Sequence, residues 1–554
     1  MIVTLVNFSK SKRKDLGAFY TPMPYAKKAA ELVQMAVERV PKENDYIILD
    51  RCAGTGNLEC ALIGLKDKNG DDLISHCVVS TYEYYEYKVL QERIGSDVRE
   101  IIPPTEANVV YENGRVANAD AMSEDFINNP IIKQYIDNPK CSIILFENPP
   151  FRDVTSNSTG VANNQNSFVL EAMRKKIKGA ILNDLTNRFI WSGWEYYLKK
   201  EYDAYIVFGP VKYFKTCDLC NKEFIKGFLF NRFYFHATKS AVSCILWFNK
   251  DCQYEELKLS CFDIADNENK ETEKLIYIKG EDKTIKKAHS VFSKLLYDKR
   301  TFNSDCENGI CCNLDGTERL TDKNIRVKKI YNKNILAYVR ASSSNFDVLS
   351  RQLLRCTEYD GNGFYLRSDN YLDKLPLWVA KHVPLDKWYE KDIYATTADG
   401  GNAYTKDQNF LKSCLIYTCL SNQNKCLSFD GSDGRRYQNE LCFDNKALAL
   451  KDLKKYQANK ITALDDEEKD LLKIWDKIIS EARETKNYNP EFNYGIYQIS
   501  KELNTFTVTG SGKNKKRNYD YIDLNSDLIT LRTKLKQYYK SHITQKMFKY
   551  ELLK

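Results

Sequence analysis

The sequence predicts an α/β protein, with a doubly wound, mostly parallel sheet followed by a large mixed α+β region. The first observation is a set of short, continuous apolar runs at residues 46–50, 77–83 and 142–147. Strands buried on both faces of a parallel sheet look like this, because neither face needs polar residues. The second observation is that helix-like segments alternate with these runs, which is typical of strands joined by crossover helices.

The predicted elements follow one another regularly up to about residue 250. Residues 24–40 are predicted to form an amphipathic helix, because their apolar side chains recur every three or four positions. Further strands are predicted at residues 109–111, 205–208 and 241–248. The alternation stops near residue 250, so we place a domain boundary there and expect a further subdivision near residue 460.

The region after this boundary has fewer regular patterns. Residues 465–485 are predicted to form a helix, with acidic residues in the first turn that complement the helix dipole. Residues 510–517, Gly-Ser-Gly-Lys-Asn-Lys-Lys-Arg, are predicted to form a flexible basic loop. A basic helix with aromatic residues is expected from Leu528 onward.

Composition excludes several classes of protein. At roughly 100–200 residues per domain, a chain of 554 residues is expected to form about two to four domains. Its 37 Tyr, 26 Phe and 6 Trp exclude disorder throughout, because so much aromatic surface does not stay solvated. The charges near the N-terminus follow a very short apolar stretch, the reverse of a secretion signal. We therefore expect a cytoplasmic protein with no membrane partner.

The cysteines predict free thiols and no metal site. The chain has 17 cysteines, which stay unpaired in a reducing compartment. Cys217 and Cys220 form one Cys-x-x-Cys pair, and Cys311 stands next to Cys312. A structural zinc site needs four ligands, usually in two such pairs, and the chain has only five histidines to supply the others. We therefore expect no bound metal.

Positive charge is concentrated at the C-terminal end. Residues 501–554 contain 12 Lys or Arg and 5 Asp or Glu, and so carry +7 of the net charge of +8. Four basic residues stand close together in the Gly/Ser-rich segment, namely Lys513, Lys515, Lys516 and Arg517. Such a cluster indicates a polyanionic partner, and we expect these four residues to follow the backbone of that polyanion. A solvated helix with no partner is the alternative that charge leaves open.

A glycine-rich turn follows the first predicted strand, from Asp50 to Asn57. Glycines at this place let the backbone pass close to a ligand that the following helix N-terminus faces, and a bare turn is the alternative. Three polar side chains follow the other predicted strands: Glu83, Asp120 and Asn148. Because ligands of doubly wound sheets bind beyond the carboxyl ends of the strands, these residues are predicted to share one site.

The most specific motif is Asn148-Pro149-Pro150-Phe151. The prolines have no N–H group, so their backbone offers only carbonyl acceptors, and the asparagine side chain adds another acceptor oxygen. Two acceptors can hold the two hydrogens of an exocyclic NH₂ group and aim its lone pair at an electrophile, while the phenylalanine stacks on the ring. A rigid turn after a strand is the alternative.

On these residues the chain resembles the S-adenosylmethionine-dependent DNA N6-adenine methyltransferases, over about residues 17–250. The family's first motif is similar to residues 17–22, its glycine loop to residues 50–57 and its catalytic motif to residues 148–151. A later motif, which helps to form the pocket for the target base, resembles residues 235–248. This order is that of the γ arrangement, in which the C-terminal region recognises the target sequence.

The resemblance implies a Rossmann-like methyltransferase domain over residues 1–250, with an N-terminal helical lead-in, and a DNA target-recognition region over residues 251–554. It implies S-adenosyl-L-methionine as the cofactor and double-stranded DNA as the partner. The methyl group would pass directly to N6 of an adenine flipped out of the duplex. The chain would serve a restriction-modification system or act alone. We expect a monomer, with any restriction endonuclease as a separate protein.

The resemblance also assigns roles to single residues. Those expected around the cofactor are Tyr20, Thr21 and Pro22 at its methionine end, Asp50, Ala53, Gly54, Gly56 and Asn57 along the glycine loop, Glu83 at the ribose and Asp120 at the adenine. Those expected to be catalytic are Asn148, Pro149, Pro150 and Phe151. The target base is expected to lie between the rings of Phe151 and Phe235.

The chain departs from the family's pattern on both sides of the expected site. Arg51 and Cys52 follow the motif aspartate, where the family usually has proline and a small residue. Glu147 replaces a small or apolar residue directly before Asn148. A buried Glu147 needs a partner, and we predict that it pairs with Arg51 across the strand ends.

Three other functions stay open on the residues alone. An RNA adenine methyltransferase needs the same amine chemistry. A protein-glutamine methyltransferase uses a similar motif, because the glutamine amide is also a planar NH₂ group, although those enzymes are small and lack an extension like residues 251–554. A catalytically inactive DNA-binding protein is the third, against which the intact acidic residues and glycines argue. The chain has no Pro-Cys motif for cytosine C5 transfer and no convincing nuclease motif, so we expect no fused nuclease.

Overall fold

The computed structural model describes residues 20–102, 119–150, 167–235, 239–264, 280–290, 363–431, 434–510 and 515–554, with the short pieces 237, 275–278, 307–308, 330–331, 335–340, 346, 354–355 and 512. The chain forms two units. Unit 1 consists of Met1–Lys287 and Lys387–Ile393, and unit 2 consists of Ala288–Asp386 and Tyr394–Lys554. Unit 1 continues past residue 250 because strands from residues 256–286 belong to its sheet.

Unit 1 is built on a mixed sheet. Its strands are β1 (Asp45–Asp50), β2 (Cys77–Val79), β3 (Glu100–Ile101), β4 (Cys141–Glu147), β5 (Ala204–Gly209), β6 (Lys222–Asn231), β7 (Ala241–Asp251), β8 (Glu256–Ile264), β9 (Leu275–Tyr277) and β10 (Lys283–Lys286). The order along the sheet is β10-β8-β6-β7-β5-β4-β1-β2-β3, with β9 paired to β8. The strands from β3 to β5 run parallel, whereas β7 is antiparallel to β5 and β6. The predicted α/β class is confirmed.

Helices connect these strands. In chain order they are α1 (Met23–Arg39), α2 (Asn57–Cys60), α3 (Tyr84–Ile94), α4 (Glu124–Ile127), α5 (Pro130–Asp137), α6 (Phe168–Lys176), α7 (Leu185–Ser192) and α8 (Lys212–Lys215). Short 3₁₀ turns lie at Leu73–His76, Ala180–Asn183 and Arg232–Phe235, and a π turn at Gly193–Tyr197 follows α7. The strand predicted at residues 109–111 lies outside the described residues.

The predicted helix at residues 24–40 is α1, and its apolar side chains cover one face of the sheet. Tyr25, Ala29 and Val33 are fully buried. The ring of Tyr25 stacks on that of Phe230 in β6, with 4.4 Å between the ring centroids. Pro24 fits the first turn of α1, because an N–H group at that position has no partner inside a helix.

The strand order reverses between β1 and β4, in the middle of the sheet. From β1 the chain goes on to β2 and β3 on one side, whereas β4 leads to β5 on the other side. Because β1 and β4 are parallel, with Leu49 beside Leu145, their carboxyl ends lie at the same edge of the sheet. Such a reversal leaves a crevice in which ligands of doubly wound sheets bind.

Unit 2 combines helices with small sheets. Its strands are β11 (Glu307–Asn308), β12 (Ile330–Tyr331), β13 (Ile335–Arg340), β14 (Leu354–Arg355), β15 (Gly363–Arg367), β16 (Phe429–Asp430), β17 (Arg436–Tyr437), β18 (Phe506–Thr509) and β19 (Lys516–Tyr519). The helices that follow α8 in the chain are α9 (Tyr371–Ala380), α10 (Glu390–Ile393, part of unit 1), α11 (Gln408–Leu420), α12 (Leu448–Ala458), α13 (Asp466–Arg483), α14 (Ile496–Gln498), α15 (Ile522–Tyr538) and α16 (Thr544–Lys549). A 3₁₀ turn lies at Ala403–Lys406, and π turns lie at Ile499–Leu503 and Tyr539–Ile543.

The core of unit 2 is formed by residues far apart in the sequence. Trp378, Leu415, Trp475 and Tyr539 all belong to one buried cluster. The helix predicted at residues 465–485 is α13, and it begins with a capping box in which Asp465 and Glu468 each accept from the other's backbone N–H.

Strands β18 and β19 form a two-stranded ribbon where the sequence pattern predicted a loop. Lys516 and Arg517, expected in a flexible segment, are the first two residues of β19. Val508 pairs with Arg517 and Thr509 with Lys516. The glycines at 510 and 512 indicate a turn, but the pairing with the preceding strand is not visible in the short basic segment itself.

Among the described residues, every helix is too short or too polar to span a bilayer.

Candidate active site

The turn after β1 has a backbone conformation that favours glycine. Gly54 and Gly56 have φ values of +57° and +80°, in the left-handed region. A Cβ atom on Gly54 would lie 3.3 Å from the ring of Tyr20, and one on Gly56 would lie 3.0 Å from the side chain of Leu90. The backbone conformation therefore favours glycine at both positions, the surrounding space is tight, and the turn lies directly against Tyr20.

Thr21 joins the N-terminal motif to the two other motifs. Its backbone carbonyl accepts a hydrogen bond from Asn57 Nδ2 (3.0 Å), and its hydroxyl oxygen accepts one from Asn148 Nδ2 (2.9 Å). The Thr21 side chain is buried. Residues 20–22, the glycine turn and the Asn-Pro-Pro segment therefore meet at the edge where β1 and β4 end.

A buried carboxylate that none of the motifs contains holds Tyr20 in place. The Tyr20 hydroxyl donates to Glu86 Oε1 (2.8 Å), and Thr81 Oγ1 donates to Glu86 Oε2 (2.6 Å). The hydroxyl of Tyr85 donates to Glu86 as well (3.1 Å). Burial, with the nearby charge of Glu86, raises the pKa of Tyr20 above its ordinary value. Tyr20 therefore acts as a neutral hydrogen-bond donor that fixes the N-terminal motif.

Glu83 lies a few residues beyond the end of a strand, and the residues that precede Ala119 and Asp120 in the chain, 103–118, lie outside the described residues. β2 ends at Val79, and Glu83 is a half-buried residue directly before α3. Asp120 is half-buried, and its Oδ1 accepts from the backbone N–H of Met122 (2.9 Å). The roles expected for both carboxylates stay predictions.

Pro22 and Ala53 have backbone roles. The carbonyl of Pro22 accepts from the N–H groups of Tyr25 and Ala26, both at 3.0 Å, and so begins α1. The N–H of Ala53 donates to the carbonyl of Ser80 (2.9 Å), which fixes the start of the glycine turn to the end of β2. Both contacts hold the N-terminal motif and the turn at the sheet edge.

Two buried carboxylates, Asp50 and Glu59, lie below the glycine turn. They are 1% and 2% exposed. Asp50 Oδ1 accepts from the N–H of Cys52 (2.8 Å), whereas Asp50 Oδ2 and Glu59 Oε2 accept from no backbone N–H and from no basic or hydroxyl side chain of the described residues, and the two carboxyl groups interact with each other. Burial raises the pKa of Asp50 well above its usual range, and the charge of Glu59 adds to this effect. Burial also raises the pKa of Glu59 to about 7. Glu59 is not among the site residues predicted from the sequence, because the sequence does not indicate whether a charged residue of a helix is buried.

Arg51 and Glu147 form a buried ion pair between the ends of β1 and β4, which confirms the predicted pairing. Both side chains are fully buried, and two hydrogen bonds join them, Nε to Oε1 at 2.5 Å and Nη2 to Oε2 at 2.9 Å. Arg51 Nη1 also donates to Ser192 Oγ (2.8 Å), and the Tyr205 hydroxyl donates to Glu147 Oε2 (2.8 Å). Each charge therefore has its partner, and the two strand ends are fixed to each other.

The Asn148-Pro149-Pro150 segment begins where β4 ends. The Nδ2 group of Asn148 donates to Thr21, so the acceptor oxygen Oδ1 lies on the other side of the planar amide. The carbonyl of Pro150 accepts from Thr186 Oγ1 (3.1 Å). Asn148 Oδ1 and the carbonyl of Pro149 are two further acceptor oxygens directly after β4.

Of the two rings expected around a target base, Phe235 belongs to the core of unit 1 and Phe151 lies outside the described residues. Phe235 is 1% exposed, and its ring stacks on that of Tyr25 with 5.8 Å between centroids. A ring packed in this way has no face available to a base, so we correct the expectation for Phe235. In the same 3₁₀ turn, the ring of Phe233 is 49% exposed.

The cysteine pairs add nothing that indicates a metal. Cys220 is buried, and this burial raises the pKa of its thiol. Cys217 is half-buried, and neither of the two forms a disulfide with another cysteine of the described ranges. Cys311 and Cys312 lie outside the described residues.

One group of side chains in the described part of the chain has ligand atoms close enough to hold a metal ion. These are Asp67, Asp71 and His76, with ligand atoms within 4.8 Å of one another. The Tyr46 hydroxyl donates to Asp67 (3.2 Å), and His76 Nδ1 lies 3.1 Å from the Tyr46 carbonyl oxygen. The group already has partners within the protein, and the expectation of no bound metal stays a prediction.

Comparison with protein-family models gives no match, and comparison with curated proteins gives none either. Among solved structures, the chain is similar to the type IIL restriction-modification enzyme MmeI in complex with DNA, with a TM-score of 0.33 and 13% identity, over 97% of this chain and 77% of that one. It is similar to a type I restriction-modification methyltransferase subunit from Streptococcus thermophilus (TM-score 0.28, 16% identity, 47% of this chain and 50% of that one). It is also similar to a putative class I S-adenosylmethionine-dependent methyltransferase from Listeria monocytogenes (TM-score 0.27, 12% identity, 44% of this chain and 65% of that one). The chain therefore spans less than two thirds of the length of the last two structures.

Proposed function

We propose that this chain is an S-adenosylmethionine-dependent DNA methyltransferase that transfers a methyl group to N6 of adenine. The observation that carries the proposal is the double contact of Thr21, which binds Asn57 in the glycine turn and Asn148 in the amine-binding motif. Transfer between two bound molecules needs the donor and acceptor sites side by side. One residue that contacts both motifs supports this arrangement.

We assign the cofactor to the carboxyl ends of β1 and β2, on one side of the crevice between β1 and β4. Gly54 and Gly56 let the backbone come close to it, Glu83 would accept from the ribose hydroxyls, and Asp120 would accept from the adenine amine. Residues 20–22 would lie at the methionine end, because Tyr20 packs against the glycine turn. When bound, S-adenosylmethionine supplies a methyl group on a positively charged sulfur.

The buried carboxylates support a cationic ligand at this place. Asp50 and Glu59 each have an oxygen that accepts from no backbone N–H and from no basic or hydroxyl side chain of the described residues, next to the turn that would receive the methionine end. The ammonium group of that end carries a positive charge. A cation beside two buried carboxylates favours their ionised forms, which burial alone disfavours.

We assign the target amine to Asn148 and Pro149. Their two acceptor oxygens would hold the two amine hydrogens and orient the nitrogen lone pair toward the methyl carbon. With the amine held by Asn148 and Pro149, the N6–C bond would form as the C–S bond breaks, and N6 would then release one proton to water. No covalent nucleophile is required, so catalysis rests on positioning and on polarising the amine.

Duplex DNA is the proposed acceptor, and unit 2 the proposed target-recognition region. In a duplex the adenine lies inside the base stack, so it must be flipped out before its amine reaches Asn148. Phe151 is proposed to stack on the flipped base. The charge of +7 on residues 501–554 suits phosphate contacts.

The test is a methyl-transfer assay with three acceptors. The full chain is incubated with methyl-labelled cofactor and with mixed-sequence duplex DNA, RNA of the same sequence or a glutamine-containing peptide. We expect label only in the duplex, recovered as N6-methyladenine after digestion to nucleosides. The Asn148→Ala variant is the matched control and should transfer no label. Label in the RNA or the peptide alone, or in cytosine, would contradict the proposal.

A further inference from the structure

Strands β18 and β19 form a ribbon in which only the basic residues of β19 have a role in the proposed function. Each residue of its two strands is exposed, apart from the half-buried Tyr519. Phe506 is 39% exposed and Val508 is 54% exposed. An isolated two-stranded ribbon is only marginally stable in water, so a ribbon that stands out in this way is more typical of a binding element than of a structural one.

The ribbon is firmly attached to unit 2 at its base. The side chain of Thr505 donates to Asp520 Oδ2 (2.5 Å), and the N–H of Asp520 donates to the Thr505 carbonyl (3.0 Å). Leu503 and Leu524, which stand before and after the ribbon in the chain, are buried in the core of unit 2. Four residues per strand give a reach of about 13 Å, which exceeds the depth of about 8.5 Å of the major groove of B-DNA.

The two faces of the ribbon differ in chemistry. Residues directly opposite in an antiparallel pair share a face, and neighbours along a strand alternate. One face therefore carries Phe506, Val508, Arg517 and Tyr519. These side chains contact one another, since the rings of Phe506 and Tyr519 are 5.3 Å apart and Arg517 lies 4.7 Å above the Phe506 ring.

The other face is entirely polar and carries Thr507, Thr509, Lys516 and Asn518. Asn518 Nδ2 donates to Thr509 Oγ1 at 3.3 Å, a long bond that a stronger partner can replace. Hydroxyl and amide groups are those that read base edges, and an asparagine amide matches the N6 and N7 groups of adenine. This face therefore has the chemistry of a base-reading surface.

The charges of the ribbon match a groove between two phosphate backbones. Lys515, Lys516 and Arg517 are consecutive and exposed. Lys516 lies on the polar face and Arg517 on the other, so that positive charge is present on both sides of the ribbon. No acidic residue stands between Glu502 and Asp520. The major groove is about 12 Å wide and admits a two-stranded ribbon.

We propose that this ribbon enters the major groove of duplex DNA, where Thr507 and Asn518 read base edges while Lys515, Lys516 and Arg517 contact phosphates. The inference rests on the proposed function in one respect, because it takes duplex DNA as the partner. It goes further in naming the element and the two side chains that select the sequence.

The test is the selection of bound duplexes from a library with a random central region, using the full chain without cofactor. The wild type should enrich one defined sequence. The double variant Thr507→Ala/Asn518→Ala should lose preference at one or two positions of that sequence, with its affinity for the wild-type site reduced roughly 5- to 100-fold. Val508→Thr, on the opposite face of the same strand, is the matched control and should enrich the wild-type sequence. Melting temperatures should agree among the three, because the substituted side chains are exposed.

The outcomes separate this inference from the proposed function. If the double variant enriches the same sequence as the wild type, or if the wild type enriches none, the ribbon does not read bases and the inference is overturned. If the wild type enriches a sequence that the double variant no longer prefers, but transfers no methyl group to it, the ribbon assignment is supported and the proposed reaction is wrong. If methyl transfer occurs and its sequence is unchanged in the double variant, the reaction is supported and the ribbon assignment is wrong.

Discussion

Arg51 and Glu147 are joined by two hydrogen bonds with both side chains fully buried, and each is the sequence neighbour of a residue in the candidate site. Arg51 follows Asp50 at the end of β1, and Glu147 precedes Asn148 at the end of β4. The ion pair therefore connects the proposed cofactor side of the site to the proposed amine side. Each of the two buried charges needs the other, so Arg51 and Glu147 form a unit.

The free energy of unfolding should fall far more when one partner of the ion pair is removed than when both are removed. Glu147→Gln leaves the guanidinium buried without a countercharge, which should destabilise unit 1 by about 3–5 kcal/mol. The double variant Arg51→Met/Glu147→Leu removes both charges and should recover most of this stability. The measurement is urea unfolding of the wild type, Arg51→Met, Glu147→Leu and the double variant that combines these two, with Glu147→Gln alongside. Additive effects in the double variant would show that the two side chains act independently.

Thr21 should control the orientation of Asn148. Thr21→Val removes the hydroxyl that accepts from Asn148 Nδ2 and keeps the carbonyl that accepts from Asn57, so it should lower kcat roughly 10-fold with a KM for the cofactor within a few-fold of the wild type. Thr21→Ser retains the hydroxyl and is the matched control, with kcat close to that of the wild type. Steady-state methyl-transfer kinetics measure both constants. Equal kcat values for the valine variant and the wild type would mean that this hydrogen bond does not position the amide.

Glu59 should make the stability of unit 1 depend on pH. Its pKa is raised by burial from the ordinary 4.5 to about 7 in the folded protein, so the folded state binds the proton more tightly than the unfolded state. The contribution of protonated Glu59 to the free energy of unfolding is therefore complete below about pH 4.5 and is lost as the pH rises through about 7. Glu59→Gln, which mimics the protonated side chain, should gain melting temperature relative to the wild type between pH 5 and pH 8. A constant difference between the two proteins across this range would contradict the assignment.

The four basic residues between Gly512 and Asn518 should contribute to DNA affinity without selecting the sequence. Replacing Lys513, Lys515, Lys516 and Arg517 with alanine should weaken binding to specific and non-specific duplexes by similar factors. The slope of log affinity against log salt should flatten by up to about 0.9 for each phosphate that the variant no longer neutralises. Fluorescence anisotropy at several salt concentrations measures this. An unchanged slope would make the segment a solvated surface, and an altered methylated sequence would place these side chains at base edges.

The sheet of unit 1 can be predicted because strands that are buried on both faces have continuous apolar sequences. In β4 and β5 every residue is buried, so the sequence there is almost continuously apolar. The Arg51–Glu147 pair was predictable for a related reason, since two charges next to such strands must neutralise each other. These predictions needed only the local sequence and the parallel order of the strands.

The other features of the site and the ribbon depend on contacts in three dimensions, which no local sequence pattern indicates. Glu86 and Glu59 lie in helices, where the side that faces the site follows from packing and not from residue type. Phe235 stands in a motif-like segment, yet three-dimensional packing places its ring in the core. The sequence of the ribbon predicts a loop because Gly510 and the lysines after it are typical of loops. The pairing of Thr509 with Lys516 cannot be seen in that short segment.

The central claim is that Asn148 presents an adenine amine to the cofactor, and long-read mapping of modified bases tests it most directly. DNA is sequenced from cells that express the wild type or Asn148→Ala, with calorimetry of S-adenosylmethionine binding to both purified proteins. We expect N6-methyladenine at one recurring sequence with the wild type, none with the variant, and cofactor affinities within a few-fold of each other. Modified adenines that persist in the variant, or cofactor binding abolished in a folded variant, would contradict the role of Asn148.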